Sequence, residues 1–235
     1  MQQEVEIKLP DYQEQYAVEC YLNPGFPYQL FLSKTQAFSD TVPFAMVSGA
    51  FVVIKSNNTE IILFETTPGV YESADTVPMD YDNMYFLEIE TATGERISSS
   101  TSIIPPAVVD SVQTFYGQTD EAAIVIFFTD TSHYSEYFLL NIFSDQSHID
   151  YFSKGEYNGS STPYVSPFRY EKGDELGVEV SSISKEYYEF IRSYKMAQES
   201  NNRPITEPPF LQSNIVGGTG IFTGYSLSLR IIVVE

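Results

Sequence analysis

The sequence predicts a mainly β chain: an N-terminal immunoglobulin-like antiparallel β-sandwich, then a second antiparallel β domain carrying one amphipathic helix. Three observations carry that expectation. Short β-branched and aromatic runs recur along the chain, clusters of Pro, Gly, Asn and Asp separate them, and only one window shows a helical period. With 235 residues, 43% of them hydrophobic and 15% aromatic, the chain has ample apolar surface to bury.

Strands are predicted at 4–9, 16–22, 28–33, 50–56, 60–65, 84–91 and 96–103. Asn57-Asn58 lies between Phe51-Val52-Val53-Ile54 and Ile61-Ile62-Leu63-Phe64, and Asn adopts positive φ at low cost, so these runs form a hairpin. Thr93-Gly94 makes the next turn. So many short strands with no helical period between them describe an immunoglobulin-like sandwich, although the tryptophan and cysteine pair of antibody domains is absent. Ile103-Ile104-Pro105-Pro106-Ala107 interrupts the pattern, because consecutive prolines cannot donate to a sheet ladder. The domains are therefore expected at 1–104 and 105–235.

Beyond that boundary, 108–116, 122–129 and 136–143 read as strands. Ile124-Val125-Ile126-Phe127-Phe128 is apolar on both faces, as a central strand would be. The stretch 144–172 reads as irregular, with aromatics that can pack on the core. From 183 to 199 apolar residues fall at Ile183, Tyr187, Phe190, Ile191, Tyr194 and Ala197, the stripe of an amphipathic helix. Ser182 or Ser184 can cap it, Glu186 suits the positive end of its dipole, and Asn201-Asn202 with Pro204 stops it. Its aromatic face is expected to be core. A rigid connector at 204–209 and a closing strand at 225–234 complete the chain.

Composition excludes several chemistries. A formal charge of −20 argues against phosphate backbones and anionic lipid as partners. Cys20 is the single cysteine and alternation buries it on a strand, so no internal disulfide can form, and two histidines build no Cys/His zinc cluster. His133 and His148 read as exposed turn residues without a neighbouring nucleophile. Gly217-Gly218-Thr219-Gly220 lacks the following lysine and helix of a phosphate loop and reads as a tight packing turn. No apolar run reaches the roughly 18 residues of a membrane helix. No cofactor is expected and no catalytic residue is assigned.

Asp75, Asp80 and Asp82, beside Asn83, offer hard oxygen ligands, which makes Asp80 and Asp82 calcium candidates; solvated loop acids are the alternative. No acid pair for glycoside hydrolysis is singled out by spacing. Asp40-Thr41-Val42, Asp75-Thr76-Val77 and Asp110-Ser111-Val112 match a short acceptor pattern for periplasmic O-glycosylation, which tilts modestly toward export; ordinary turn residues are the alternative for each. For a partner or ligand, the loop bearing Asn214, Gly217, Gly218, Gly220 and Phe222 comes first, with Tyr157 and Tyr164 of the irregular aromatic segment; intramolecular packing is the other reading of both.

Several blocks together resemble one family. Ala17-Val18-Glu19-Cys20-Tyr21-Leu22 with Leu30-Phe31-Leu32-Ser33-Lys34-Thr35-Gln36 is similar to its opening pair of strands, followed by Val47-Ser48-Gly49-Ala50 and Pro68-Gly69-Val70-Tyr71. Tyr85-Phe86-Leu87-Glu88-Ile89, Gly94 and the Asp110-Ser111-Val112 that comes after the prolines match further on. Ser182 to Phe190, Pro209-Phe210 and Ser213-Asn214-Ile215-Val216-Gly217-Gly218-Thr219-Gly220-Ile221-Phe222 complete the set, the last being the most specific. These are features of the Bacteroidota outer-membrane lipoproteins carried as domain of unknown function 4249, from about residue 4 to 229. The chain departs at Cys20, where glycine is usual, and at Thr219.

The resemblance implies an exported outer-membrane lipoprotein whose signal and anchor cysteine precede Met1, soluble without that anchor and often encoded beside a TonB-dependent transporter. The expected role is a non-enzymatic accessory or binding protein in nutrient uptake. The alternative is a stand-alone carbohydrate- or peptide-binding surface module, with a glycoside hydrolase behind it; exposed aromatics forming a platform would favour the module.

Overall fold

The computed structural model describes residues 12–36, 44–57, 59–81, 83–118, 121–129, 137–144, 147–153, 163–200 and 210–235. In chain order the strands are β1 (Tyr16–Leu22), β2 (Pro27–Lys34), β3 (Phe51–Ser56), β4 (Thr59–Thr67), β5 (Val70–Thr76), β6 (Met84–Glu90) and β7 (Arg96–Ser102). Next come β8 (Val108–Tyr116), β9 (Ala122–Thr129), β10 (Tyr137–Phe143), β11 (Ser147–Ser153), β12 (Tyr164–Tyr170), β13 (Glu175–Ile183), α1 (Lys185–Ser200) and β14 (Thr219–Val233). The chain is mainly β, with an immunoglobulin-like sandwich first and a second sandwich bearing the helix. The predicted strand at 4–9 lies outside the described residues.

Alternation builds the first unit. In β2, Tyr28, Leu30 and Leu32 are buried while their neighbours face out; in β6, Tyr85, Leu87 and Ile89 repeat the pattern. Asn57 takes φ 50° where Ser56 pairs with Thr59, which is the predicted β3–β4 hairpin. The buried residues fall into two clusters, one running from Val18 to Ile103 and the other from Ala107 to Val234, and Ile215 and Phe222 belong to the first. Two prolines thus sit where the chain leaves one core for the other.

Sequence periodicity gives the closing strand only from residue 225; the structure begins it at Thr219. Its first half pairs parallel with β1, from Ala17 opposite Thr219 to Leu22 opposite Gly224, and its second half pairs antiparallel with β13. This parallel pairing departs from the expected all-antiparallel scheme, and it makes β14 a strand of both sandwiches. The resulting sheet has the order β11-β10-β13-β14-β1-β2-β5-β4-β3-β6-β7, and β12-β9-β8 packs on its β11-β10-β13 end. One face of β14 also serves the proline linker, whose ring nitrogens cannot donate. Ser226 Oγ donates to the Ile104 carbonyl, Ser228 Oγ to that of Ala107, and Arg230 Nη2 to that of Val109 at 3.0 Å.

β5, β11, β12 and β13 are strands at places where the sequence pattern predicts none. β12 contains Pro167, yet it is an edge strand and its register shifts between Val165 and Arg169, the setting in which a strand tolerates proline. The helix forms where expected and takes one of its two expected caps, but not the expected depth. Ser184 is the cap, accepting from Tyr187 N at 3.1 Å, whereas Ser182 lies in β13 and accepts from Ala107 N at 3.0 Å. The aromatic stripe is not core: Tyr187, Tyr188, Phe190 and Ile191 are half-buried, Tyr194 is 50% exposed, and no helix residue joins either cluster. α1 lies on the sheet surface against β14 and β10, because the second core is already closed by β8, β9 and β12. Among the described residues no helix is long and apolar enough to cross a membrane.

Two local networks give testable consequences. Tyr71, fully buried, accepts from Ala50 N at 3.0 Å and donates to the Val47 carbonyl at 2.8 Å, pinning the entry to β3 onto β5. Tyr71→Phe leaves both backbone groups without that hydroxyl and is expected to cost about 1–2 kcal/mol, read from the midpoint of urea unfolding.

At the β6–β7 turn, Thr91 and Thr93 hydroxyls both donate to Glu95 Oε2 at 2.5 Å. The Thr91 bond first, then that of Thr93, holds the Glu95 carboxyl down at about 2 against an ordinary 4.5. The folded protein therefore keeps this carboxylate ionised where the unfolded chain has begun to take up a proton. Its contribution is complete above about pH 4.5 and is lost as pH falls toward 2. Glu95→Gln should flatten the acid limb of the stability–pH curve in that window and leave the neutral region nearly flat.

Candidate functional site

On the outer face of the joined sheet, where α1 overhangs the passage from one sandwich to the other, lies a cleft of about 600 Å³. Its volume is in the range of small-molecule sites. β1 supplies Tyr21, α1 supplies Tyr187 and β14 supplies Tyr225. The ring centroids of Tyr21 and Tyr187 are 5.7 Å apart and those of Tyr187 and Tyr225 6.4 Å, both tilted. Phe26 and Phe31, 57% and 39% exposed, form the open flank on the first sandwich.

The polar groups are amides and acids. Gln29 Nε2 donates to Glu72 Oε1 at 2.5 Å across the β2–β5 pair, and Asn141 Nδ2 donates to Glu179 Oε2 at 3.3 Å across β10–β13. Asn23 Nδ2 donates to the Tyr225 hydroxyl at 3.4 Å. Glu19 stands opposite Phe31 on the same face of β1. Burial, then neighbouring Tyr187 and Glu19, pushes the Tyr21 phenol up; burial, then Tyr225 and Glu19, does the same for Tyr187. For Tyr225 burial leads and Glu179 adds to it. All three therefore present neutral phenols and π faces at any physiological pH.

The residues singled out from the sequence lie elsewhere. Phe222 is fully buried, and the Asn214 side chain brackets its backbone, donating to the carbonyl at 2.7 Å and accepting from the N–H at 3.0 Å. A Cβ on Gly217 would stand 2.5 Å from the Arg96 carbonyl oxygen, one on Gly218 2.6 Å from that of Tyr16, and one on Gly220 2.0 Å from that of Val18. The glycines of this loop pack backbone on backbone, the intramolecular reading of these residues, while Asn214 lines a second cleft with Phe86 and the exposed Val216. Tyr164 is also buried, stacked on Phe152 at 4.9 Å with its hydroxyl donating to Asp150; Tyr157 lies outside the described residues.

Asp80 accepts from Asn83 Nδ2 and lines a smaller cleft with Asp75, while Asp82 lies outside the described residues. Among the described residues no group of three His, Cys, Asp or Glu could hold a metal ion. His148 is no exposed turn residue: it sits in β11, stacked on Phe168 at 4.3 Å, with Nδ1 3.2 Å from the Tyr170 hydroxyl. His133 lies outside the described residues. Cys20 is fully buried, and burial pushes its thiol up.

The groove residues carry no motif, yet their strands leave a trace in the sequence. Phe31 stands between Leu30 and Leu32, and Tyr21 between Cys20 and Leu22, so these strands are apolar on both faces. A family model of the domain of unknown function DUF4249 matches residues 2–229. The chain belongs to this family. No curated protein matches it. Among solved structures, a two-domain fibronectin type-III segment of chicken tenascin is similar at 8% identity, over 72% of this chain and 91% of that one, with a TM-score of 0.27. The sandwich assignment for this DUF4249 chain rests on its own strand order.

Proposed function

We propose that this DUF4249 chain is a non-enzymatic accessory or binding lipoprotein of the outer membrane, serving a TonB-dependent transporter in nutrient uptake, and that the tyrosine groove is where it engages what it binds. The observation that carries the reading is the groove itself: about 600 Å³, built jointly by both sandwiches and floored by one continuous sheet. Such a site is preorganised, because Tyr21, Tyr225 and Glu179 stand on strands and not on loops. The placement at the outer membrane is what the resemblance of its sequence blocks implies.

The non-enzymatic part carries its own test, because the titratable groups among the described lining residues are carboxylates and phenols, Glu72 and Glu179 among them. Turnover of an aryl glycoside that vanishes in Glu72→Gln would overturn it. A second reading, a surface module for glycans or peptides without a transporter, is favoured by the exposed rings of Phe26 and Phe31. Co-purification from native membranes, through a tag on the lipidated full-length protein, separates the two. The transporter reading expects a TonB-dependent β-barrel in the eluate, and recovery of the lipoprotein alone contradicts it.

A further inference from the structure

If the groove is the binding site, a reading on which the inference rests, its lining also points to a ligand chemistry. Its aromatic content is three phenol rings and two phenyl rings, all with electron-rich faces. Among the described residues its lining contains neither lysine nor arginine. Glu72 and Glu179 line it, and Glu19 flanks it on the same face of β1.

Some acids elsewhere on the surface are neutralised by a basic partner, whereas others, such as Glu65 and Glu95, are held by neutral donors as the groove acids are. Glu14 pairs with Lys34, Glu60 and Glu88 with Lys55, Glu90 with Arg96 and Glu189 with Lys185. None of Glu19, Glu72 and Glu179 forms an ion pair with a described residue. Glu72 and Glu179 are instead held by neutral amides, which orient a carboxylate without cancelling its charge. Negative charge with no basic counterpart, placed around ring faces that attract cations, is complementary to one chemistry.

We propose that the groove binds an organic cation, a primary ammonium or guanidinium group, seated on the Tyr21, Tyr187 and Tyr225 rings and neutralised by Glu72 and Glu179. The group can come from a free polyamine or from a Lys or Arg side chain of a peptide. An anionic ligand meets repulsion from the same acids and from the chain's net charge of −20. A neutral glycan could stack on the rings but would leave the carboxylate charges uncompensated.

The test is isothermal titration of the full chain with spermidine, with a lysine-containing pentapeptide of no acidic residues, and with maltoheptaose. At least one cation should bind with one-to-one stoichiometry, and the arm that binds tells polyamine from peptide. Glu179→Gln and Tyr187→Leu should each weaken it about tenfold. Glu90→Gln removes the same charge from a remote, exposed position and should leave the affinity unchanged, which separates a site from diffuse attraction.

Equal weakening by Glu90→Gln and Glu179→Gln would overturn the proposal. So would binding of maltoheptaose alone, but that result would leave the groove standing as the site. Thermal unfolding of both groove variants, unchanged to within about 2 °C, confirms that the loss is of binding and not of fold.

Discussion

Gly220→Ala is expected to destabilise the protein by about 3–5 kcal/mol, a large share of a typical native stability. Gly220 opens β14 at φ 114°, a conformation that L side chains avoid, and its Cβ would lie 2.0 Å from the Val18 carbonyl oxygen. That oxygen cannot withdraw cheaply. It belongs to β1, where Val18 is fully buried and paired with both Gly220 and Leu32, so relief requires parting the sheet at its junction. Urea unfolding monitored by circular dichroism checks the size of the effect, and a loss under 1 kcal/mol would mean that the junction yields more easily than this pairing allows.

The second large effect falls on the same junction. Asn214→Ala should cost about 2–4 kcal/mol, because it strips partners from both the N–H and the carbonyl of Phe222, a residue with no solvent exposure. Asn214→Asp discriminates further. It keeps the acceptor for the Phe222 N–H but sets a carboxylate oxygen against the Phe222 carbonyl, so it should be nearly as harmful as alanine. If Asp were as stable as Asn, the amide would not be donating as the geometry requires.

Much of the fold was legible because burial writes a period of two. β8 and β9 were delimited by alternation and by their apolar content, and Asn57 declared its hairpin through the positive φ it tolerates. β5 and β11 were not legible. Val70–Thr76 and Ser147–Ser153 each bury a single side chain fully, so their strand character comes from neighbours and not from their own pattern. The helix shows the converse: its stripe fixed the element but not its depth, since periodicity tells which side faces protein and not how completely it is covered.

The groove and the loop that the sequence singles out differ for a related reason. Glycines and an asparagine in a loop look the same in sequence whether they approach a ligand or another strand, and here Gly217, Gly218 and Gly220 approach Arg96, Tyr16 and Val18. The groove, by contrast, is assembled from strands separated by more than 200 residues, as the Asn23–Tyr225 hydrogen bond shows. That assembly depends on β14 lying beside β1, a parallel pairing for which the local sequence carries no signal.

Photo-crosslinking on intact cells tests the groove most directly. A benzophenone side chain replaces Phe31, 39% exposed on the groove flank, or Phe64, 68% exposed on β4. Irradiated full-length protein should give a discrete adduct from position 31 and none from position 64. An adduct from 64 alone, or equal yields from both, would contradict the groove as the place where this protein meets what it binds.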